Sequence, residues 1–117
     1  MTDKITVYEK PTCSKCREAD KLLRESGVDF AKINYILEPI GEAKLRELID
    51  KMSIAPRELL RTSEPSFRAL GLDARALSDE EIIALLVRQP ELLQRPIVER
   101  GGRAVLGRPV ENIRALL

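Results

Sequence analysis

The chain has 117 residues, enough for one domain that buries about two thirds of the surface its unfolded form exposes. Twenty basic and nineteen acidic residues leave a net charge of +1, which excludes the basic surface typical of nucleic-acid-binding proteins and gives no attraction to anionic membranes. The N-terminus lacks the features of a secretory signal, and no apolar run approaches the roughly 20 residues that span a bilayer. We therefore expect a single cytoplasmic domain over residues 1–117, monomeric, without nucleic-acid or membrane partners.

The first third of the chain predicts a strand, a helix and a second strand. Lys4 to Tyr8 is short and β-branched, and Pro11 follows it in a turn. From Ser14 onward apolar residues recur at helical spacing, and Gly27 stands where a left-handed C-terminal cap belongs. Val28 to Ile33 favours a second strand, which should run parallel to the first because a helix connects them.

The middle of the chain is predicted to be helical. Residues 40–75 have the pattern of a helical insertion, in which Pro56 and Pro65 occupy positions suited to the first turn of short helices. Ser78 and Glu81 form a capping box before a further apolar helix.

The last quarter predicts a hairpin and a final helix. Pro96 to Glu99 and Arg103 to Leu106 are strand candidates on either side of a turn that contains two glycines, and a helix begins after Gly107 to Pro109. The order βαβ, helices, ββα is that of the thioredoxin superfamily. We therefore predict an α/β, thioredoxin-like (glutaredoxin-type) fold with a mixed four-stranded sheet and a helical insertion.

The two cysteines are the candidate reactive groups. They lie three positions apart, too close to restrain an unfolded chain much as a disulfide. A zinc site needs about four ligands, and a chain with no histidine and no second cysteine pair does not favour one. Cys13 falls where a loop meets the N-terminus of the predicted helix, so unpaired backbone N–H groups should stabilise its thiolate and lower its pKa. Lys15 adds a positive charge beside it and is assigned to substrate binding.

Cys16 lies one helical turn further on and should be less exposed than Cys13. This asymmetry predicts that Cys13 attacks a substrate and that Cys16 then attacks the Cys13 adduct, closing an intramolecular disulfide. The alternative is that Cys16 is simply a small buried apolar residue. A Cys-x-x-Cys motif beside a βαβ pattern favours the redox interpretation.

Four segments, in order along nearly the whole chain, are similar to those of the bacterial arsenate reductases that use glutaredoxin. This family has a related branch of cysteine-pair transcription regulators called Spx. The segments are Tyr8 to Cys13 (YEKPTC), Glu58 to Arg61 (ELLR), Gln89 to Val98 (QPELLQRPIV) and Gly107 to Pro109 (GRP).

The resemblance implies an oxyanion site. By position, the three arginines that hold the oxyanion in the family correspond to Arg61, Arg95 and Arg108, and guanidinium groups suit tetrahedral oxyanions because they present planar forks of donors. Pro96 resembles the cis-proline found beside the active cysteine of thioredoxin-like proteins. We expect all four residues to belong to the catalytic and substrate-binding set with the two cysteines.

The family mechanism requires no bound cofactor. The cysteine thiolate attacks arsenic, glutathione serves as a co-substrate that completes the reduction, and glutaredoxin resolves the mixed disulfide; in this chain Cys16 could replace glutathione, and thioredoxin could be the reductant. Glu9 stands where active members often carry a histidine, and its carboxylate is expected to raise the pKa of Cys13.

Two other functions remain open. The cysteine pair is sufficient for a general thiol-disulfide oxidoreductase that acts on protein or glutathione disulfides. An Spx-like regulator would use a disulfide between Cys13 and Cys16 as a switch on contact with RNA polymerase, although that branch lacks the arginine found here as Arg108. The residues themselves indicate an oxyanion, and only the resemblance implies arsenate.

Overall fold

The computed structural model describes residues 4–117, which divide into two compact units. The first unit combines the N-terminal segment up to Glu38 with Arg95–Leu117, and the second is the intervening segment Pro39–Gln94. No helix within residues 4–117 is both long and apolar enough to cross a membrane.

The first unit contains the sheet. Its strands lie in the order β2-β1-β3-β4, with β1 parallel to β2 and antiparallel to β3, and β3 antiparallel to β4. The predicted mixed four-stranded sheet is thereby confirmed. The elements are β1 (Ile5–Glu9), α1 (Ser14–Glu25), β2 (Phe30–Asn34), β3 (Ile97–Arg100), β4 (Arg103–Leu106) and a closing 3₁₀ helix (Val110–Leu116).

One edge of this sheet collects three chain segments. In the register of the sheet, Tyr8 pairs with Ile97 at the start of β3, and Glu9 pairs with Asn34 at the end of β2. The carboxyl ends of the parallel strands β1 and β2 therefore meet the beginning of β3. Because α1 starts only a few residues after β1, its N-terminus lies at the same edge.

An aliphatic core fixes α1 and the C-terminal 3₁₀ helix against the sheet. Residues four apart on α1 share one face of the helix, and alternate residues of β1 share one face of the sheet, so the two elements present matching apolar surfaces. The buried members of this core are Ile5, Val7, Ala19, Leu23, Val98, Ile113 and Leu116.

The ends of α1 follow the sequence prediction. Cys13 is the N-cap, with extended backbone angles (φ −85°, ψ 128°), and the helix ends at Glu25. Gly27 has φ +72°, the left-handed conformation that a residue with a side chain rarely adopts. The predicted last helix is present, but as a 3₁₀ helix, Val110–Leu116.

The second unit consists of helices and 3₁₀ turns, with one isolated antiparallel bridge between Leu60 and Leu93. Both predicted proline starts and the capping box are confirmed: the Ser78 N–H donates to Glu81 Oε1 (3.0 Å) and the Glu81 N–H donates to Ser78 Oγ (3.1 Å). The helical elements continue past residue 75. They are α2 (Glu42–Met52), α3 (Pro65–Ala69), α4 (Asp79–Arg88) and 3₁₀ turns at Pro56–Leu59, Ala74–Ala76 and Pro90–Leu92.

Gly107 packs closely against Pro96. Its N–H donates to the Pro96 carbonyl oxygen (2.8 Å), and a Cβ added at Gly107 would lie 2.9 Å from Cγ of Pro96 and 3.4 Å from Cδ1 of Ile113. The absence of a side chain at Gly107 therefore allows the segment before Arg108 to lie against the start of β3.

We predict that Gly107→Ala lowers the free energy of unfolding by about 1–3 kcal/mol, because the added methyl group overpacks a rigid proline ring. The control is Gly102→Ala, since nothing lies within 4 Å of a Cβ placed at Gly102. Urea denaturation of both variants checks the prediction. Equal unfolding free energies for the two variants would contradict it.

Candidate active site

Cys13 lies at the start of α1, where the backbone changes from a turn to a helix. Its N–H donates to the Lys10 carbonyl (3.0 Å), and its carbonyl accepts from the Arg17 N–H (3.2 Å), the first turn of the helix. The side chain is partly exposed, so the sulfur is accessible to a small reactant. This is the position that the sequence predicts for a stabilised thiolate.

Hydrogen bonds lower the pKa of Cys13. Burial alone raises it, but the sulfur accepts bonds from the backbone N–H and the thiol of Cys16, from the side chain of Arg95 and from the backbone N–H of Lys15. Together these donors outweigh the cost of burial and bring the pKa of Cys13 to about 7. A large fraction of the group is therefore a thiolate at neutral pH.

Cys16 differs from Cys13 in exposure and in pKa, two properties that determine the reactivity of a thiol. It is 1% exposed, and burial raises its pKa to about 12, with further contributions from the hydrogen bond to Cys13 and from the charges of Cys13 and Glu9. Both thiols are free in the structure. The predicted difference in exposure between the two cysteines is confirmed. The protonated thiol of Cys16 donates a hydrogen bond to the Cys13 sulfur.

Two of the three predicted arginines lie at this site. Arg95, at the entrance to β3, is 7% exposed, and its side chain donates a hydrogen bond to the Cys13 sulfur. Arg108 Nη2 lies 4.0 Å from Cys13 Sγ, and Arg108 Nε donates to the backbone carbonyl of Arg95 (2.7 Å). The two guanidinium groups thus place positive charge beside the sulfur.

The peptide bonds before Pro96 and Pro109 are cis.

Arg61 belongs to the second unit. Its N–H donates to the Leu92 carbonyl (2.8 Å), and its Nη2 lies 3.8 Å from Glu64 Oε2. Its Nη1 is buried and has no hydrogen-bond partner within the described part of the chain. Arg61 thus retains hydrogen-bonding capacity that its own unit does not use.

Lys15 is close to Cys13 but contributes through its backbone. Its N–H is one of the donors to the Cys13 sulfur. Its exposed side chain instead pairs with Glu18, with Nζ 3.5 Å from Oε2. Exposed pairs of this kind are weak, so the ammonium group can still turn towards an anion.

Glu9 acts on Cys16, an effect that the sequence analysis did not predict. The carboxylate is buried at the end of β1, 3.9 Å from Nζ of Lys32, which also lies 3.2 Å from Oδ1 of Asp20. Burial raises the pKa of Glu9, Lys32 opposes this, and Asp20 adds to it. The pKa of Cys13 is lowered overall by its hydrogen bonds, and the charge of Glu9 raises the pKa of Cys16, so the expected contribution of Glu9 to Cys13 stays a prediction.

Sequence reasoning missed Tyr35. This residue is fully buried directly after β2, and its hydroxyl accepts a hydrogen bond from Nη1 of Arg95 (3.4 Å). The available signal was its place at the carboxyl end of a strand parallel to β1, the edge at which Cys13 also lies. Nothing in the local pattern indicates its partner, which is sixty residues away in the chain.

Comparison with known proteins identifies the family. A family model described as the ArsC family matches residues 8–116. The chain belongs to the ArsC family. YfgD of Escherichia coli, described as uncharacterized, is 39% identical, with 97% of this chain and 96% of YfgD covered. An arsenate reductase of Neisseria meningitidis is 35% identical, with 97% of both chains covered.

Further relatives include both branches that the sequence resembles. A global transcriptional regulator Spx of Streptococcus pyogenes is 30% identical, with 97% of this chain and 84% of the regulator covered. The solved structure of an arsenate reductase from Vibrio cholerae superimposes with a TM-score of 0.91 at 30% identity and covers 100% of both chains. The predicted thioredoxin-like α/β fold and the resemblance to the ArsC family are confirmed.

We predict selective alkylation of the two cysteines. In the native protein iodoacetamide should modify Cys13 and leave Cys16 unmodified, because the second thiol is buried and almost fully protonated. Mass spectrometry of peptides from protein quenched at intervals checks this, with denatured protein as the control in which both thiols react. Comparable native modification of Cys16 would contradict the assignment.

We predict a pH-dependent effect of Glu9→Gln on stability. Because burial raises the pKa of Glu9 in the folded protein, the native state holds this proton more tightly than the unfolded state, and stability falls as the pH rises through the folded pKa. The Gln variant should therefore become more stable relative to wild type as the pH is raised from acidic to neutral.

Urea denaturation at several pH values measures this difference. Glu25→Gln, which removes a charge from the exposed surface of α1, controls for the change in net charge. A stability difference that shrinks or reverses with rising pH would contradict the burial argument.

Proposed function

We propose that the chain is a thiol-dependent oxyanion reductase whose substrate is arsenate or a close analogue, with Cys13 as the nucleophile. The observation that carries the proposal is a partly exposed thiolate with a pKa of about 7, beside the guanidinium groups of Arg95 and Arg108. The relatives named arsenate reductase in Neisseria meningitidis and Vibrio cholerae support arsenate as the substrate.

The arginines offset the repulsion between the Cys13 thiolate and an anionic substrate. Arsenate is an anion at neutral pH, and a thiolate attacks it only if cations offset the repulsion between the substrate and the thiolate. Arg95 and Arg108 provide two such cations, and we assign Arg61 as the third ligand of the oxyanion, in keeping with its buried unused donor. Pro96 and Lys15 complete the proposed substrate-binding set.

The proposed chemistry transfers two electrons from two thiols to arsenic. Cys13 thiolate attacks As(V), a sulfur-arsenic bond forms, and one oxygen leaves as water. A second thiol then attacks the Cys13 sulfur: a disulfide bond forms, the sulfur-arsenic bond breaks with its electron pair remaining on arsenic, and As(III) is released as arsenite. The net products are arsenite, one disulfide and one water.

The second thiol is either glutathione or Cys16. Cys16 has the advantage of position, because it already donates a hydrogen bond to the Cys13 sulfur. Its pKa of about 12 is a disadvantage, since its proton must be removed before attack. We propose that glutathione with glutaredoxin, or thioredoxin acting on a Cys13 to Cys16 disulfide, regenerates the enzyme in the cytoplasm.

A general thiol-disulfide oxidoreductase is the second candidate function. The asymmetric pair favours it, because a reactive Cys13 backed by a protonated Cys16 suits disulfide exchange without any oxyanion. A regulator of the Spx kind is the third, and Arg108 beside the Cys13 sulfur argues for an anion site instead.

The test is arsenate-dependent turnover of wild type, Cys13→Ser and Cys16→Ser, with glutathione plus glutaredoxin compared with thioredoxin. We predict no turnover by Cys13→Ser with either donor, because the nucleophile is absent. Loss of activity by Cys16→Ser with thioredoxin alone would assign Cys16 as the resolving thiol. If wild type reduces disulfides but never arsenate, the oxidoreductase function replaces the proposal.

The arginine site is tested separately. Arg108→Leu should lower kcat/KM for arsenate by about 100-fold, the cost of removing one donor from an oxyanion site. Arg103→Leu is the matched control, because this exposed arginine on β4 carries the same charge. Equal losses in the two variants would show that only net charge matters and would contradict a specific role for Arg108.

A further inference from the structure

Tyr35 lies at the edge of the sheet where the reactive cysteine is found. It directly follows β2, and its N–H donates to the carbonyl of Glu9, the last residue of β1 (3.2 Å). Tyr35 is 0% exposed, so its ring and its hydroxyl are fully buried. A buried phenol places a polar hydroxyl where it requires a hydrogen-bond partner.

That hydroxyl contacts the arginine beside Cys13. Nη1 of Arg95 donates to Tyr35 Oη at 3.4 Å, and the Arg95 side chain also donates to the Cys13 sulfur. The guanidinium therefore bridges a phenol oxygen and a thiolate. The backbone carbonyl of Arg95 in turn accepts from Nε of Arg108 (2.7 Å), so the second arginine depends on the same residue.

A neutral acceptor suits this position for a physical reason. A long arginine side chain loses rotamer entropy when it is held in one place, and its buried N–H groups require acceptors. A carboxylate would provide one, but it would also cancel the positive charge that stabilises the thiolate. A phenol oxygen fixes the direction of the guanidinium and leaves its charge available to the sulfur.

We propose that Tyr35 is a positioning residue of this site: its buried hydroxyl holds the guanidinium of Arg95 against the Cys13 sulfur and against a bound oxyanion. The part that concerns the oxyanion rests on the proposed function. The part that concerns the sulfur does not, because the ionisation of Cys13 can be measured without any substrate.

The test is the rate of Cys13 alkylation by iodoacetamide as a function of pH in Tyr35→Phe. The variant loses the hydrogen bond from Arg95 to the Tyr35 hydroxyl, so Arg95 is held less firmly beside the Cys13 sulfur and the pKa of Cys13 should rise. Alkylation at about pH 6 should therefore slow by roughly twofold to tenfold. At about pH 9 the two proteins should react at similar rates, because the thiol is ionised in both. A variant with a damaged fold would instead differ from wild type in its alkylation rate at both low and high pH.

Tyr8→Phe is the matched control. Tyr8 is the only other tyrosine, is also buried, and donates its hydroxyl hydrogen to Glu99 Oε1 (2.8 Å) on the neighbouring strand. The same atom is removed from the same kind of buried environment, but the hydroxyl lost is one that contacts a carboxylate, Glu99, and not one that accepts from Arg95 Nη1. Tyr8→Phe should leave the alkylation profile of Cys13 unchanged.

A double-mutant cycle tests whether Tyr35 acts through Arg95. In an Arg95→Met background the Tyr35→Phe change should have no further effect on the Cys13 profile, because the residue that carries the effect is absent. Additive effects of the two substitutions would overturn the proposal. So would a Tyr35→Phe profile that matches wild type.

A second measurement covers the case in which Tyr35→Phe fails to fold. In the Tyr8→Phe protein, fluorotyrosine labels Tyr35 alone. The fluorine resonance of this residue should shift over the pH range in which Cys13 ionises. The same resonance should not shift in the Tyr8→Phe/Cys13→Ser protein, which lacks the ionising thiol. No shift would overturn the proposal. If wild type does not reduce arsenate while the alkylation result holds, the proposed function fails and the positioning role stands.

Discussion

The stabilisation of negative charge on one sulfur is the interaction on which the rest of the account depends. A thiol at an arbitrary surface position is mostly protonated at neutral pH and reacts slowly. At Cys13 the first N–H groups of α1, the Arg95 side chain and the thiol of Cys16 all direct hydrogens at the sulfur, and they overcome the cost of its partial burial. Nucleophilic attack, disulfide exchange and redox switching all require this same thiolate.

The sheet brings these donors together from distant parts of the chain. β1 ends where β2 ends and where β3 begins, so Cys13, Tyr35 and Arg95 share one edge. Gly107 allows the following segment to approach Pro96, and Arg108 thereby reaches the backbone of Arg95. The mixed topology is thus a requirement of the site, because only an antiparallel β3 starts at the edge where β1 ends.

Much of this arrangement is predictable from local sequence signals. The cysteine before a helix, the capping box at Ser78 and the left-handed Gly27 each depend on neighbours within a few residues, and all three are confirmed. The contact between Tyr35 and Arg95 depends on packing between segments that are sixty residues apart, which no local pattern encodes. The charge of Glu9 raises the pKa of Cys16, an effect that the sequence analysis did not predict.

The most direct measurement is the ionisation of Cys13 itself. The far-ultraviolet absorbance of the thiolate, recorded against pH for wild type and for Cys13→Ser, gives the titration of this sulfur as the difference between the two proteins. The account predicts a midpoint near pH 7. A midpoint at or above that of a free thiol, about 8.5, would contradict it, since the donors at the start of α1 would then provide no net stabilisation.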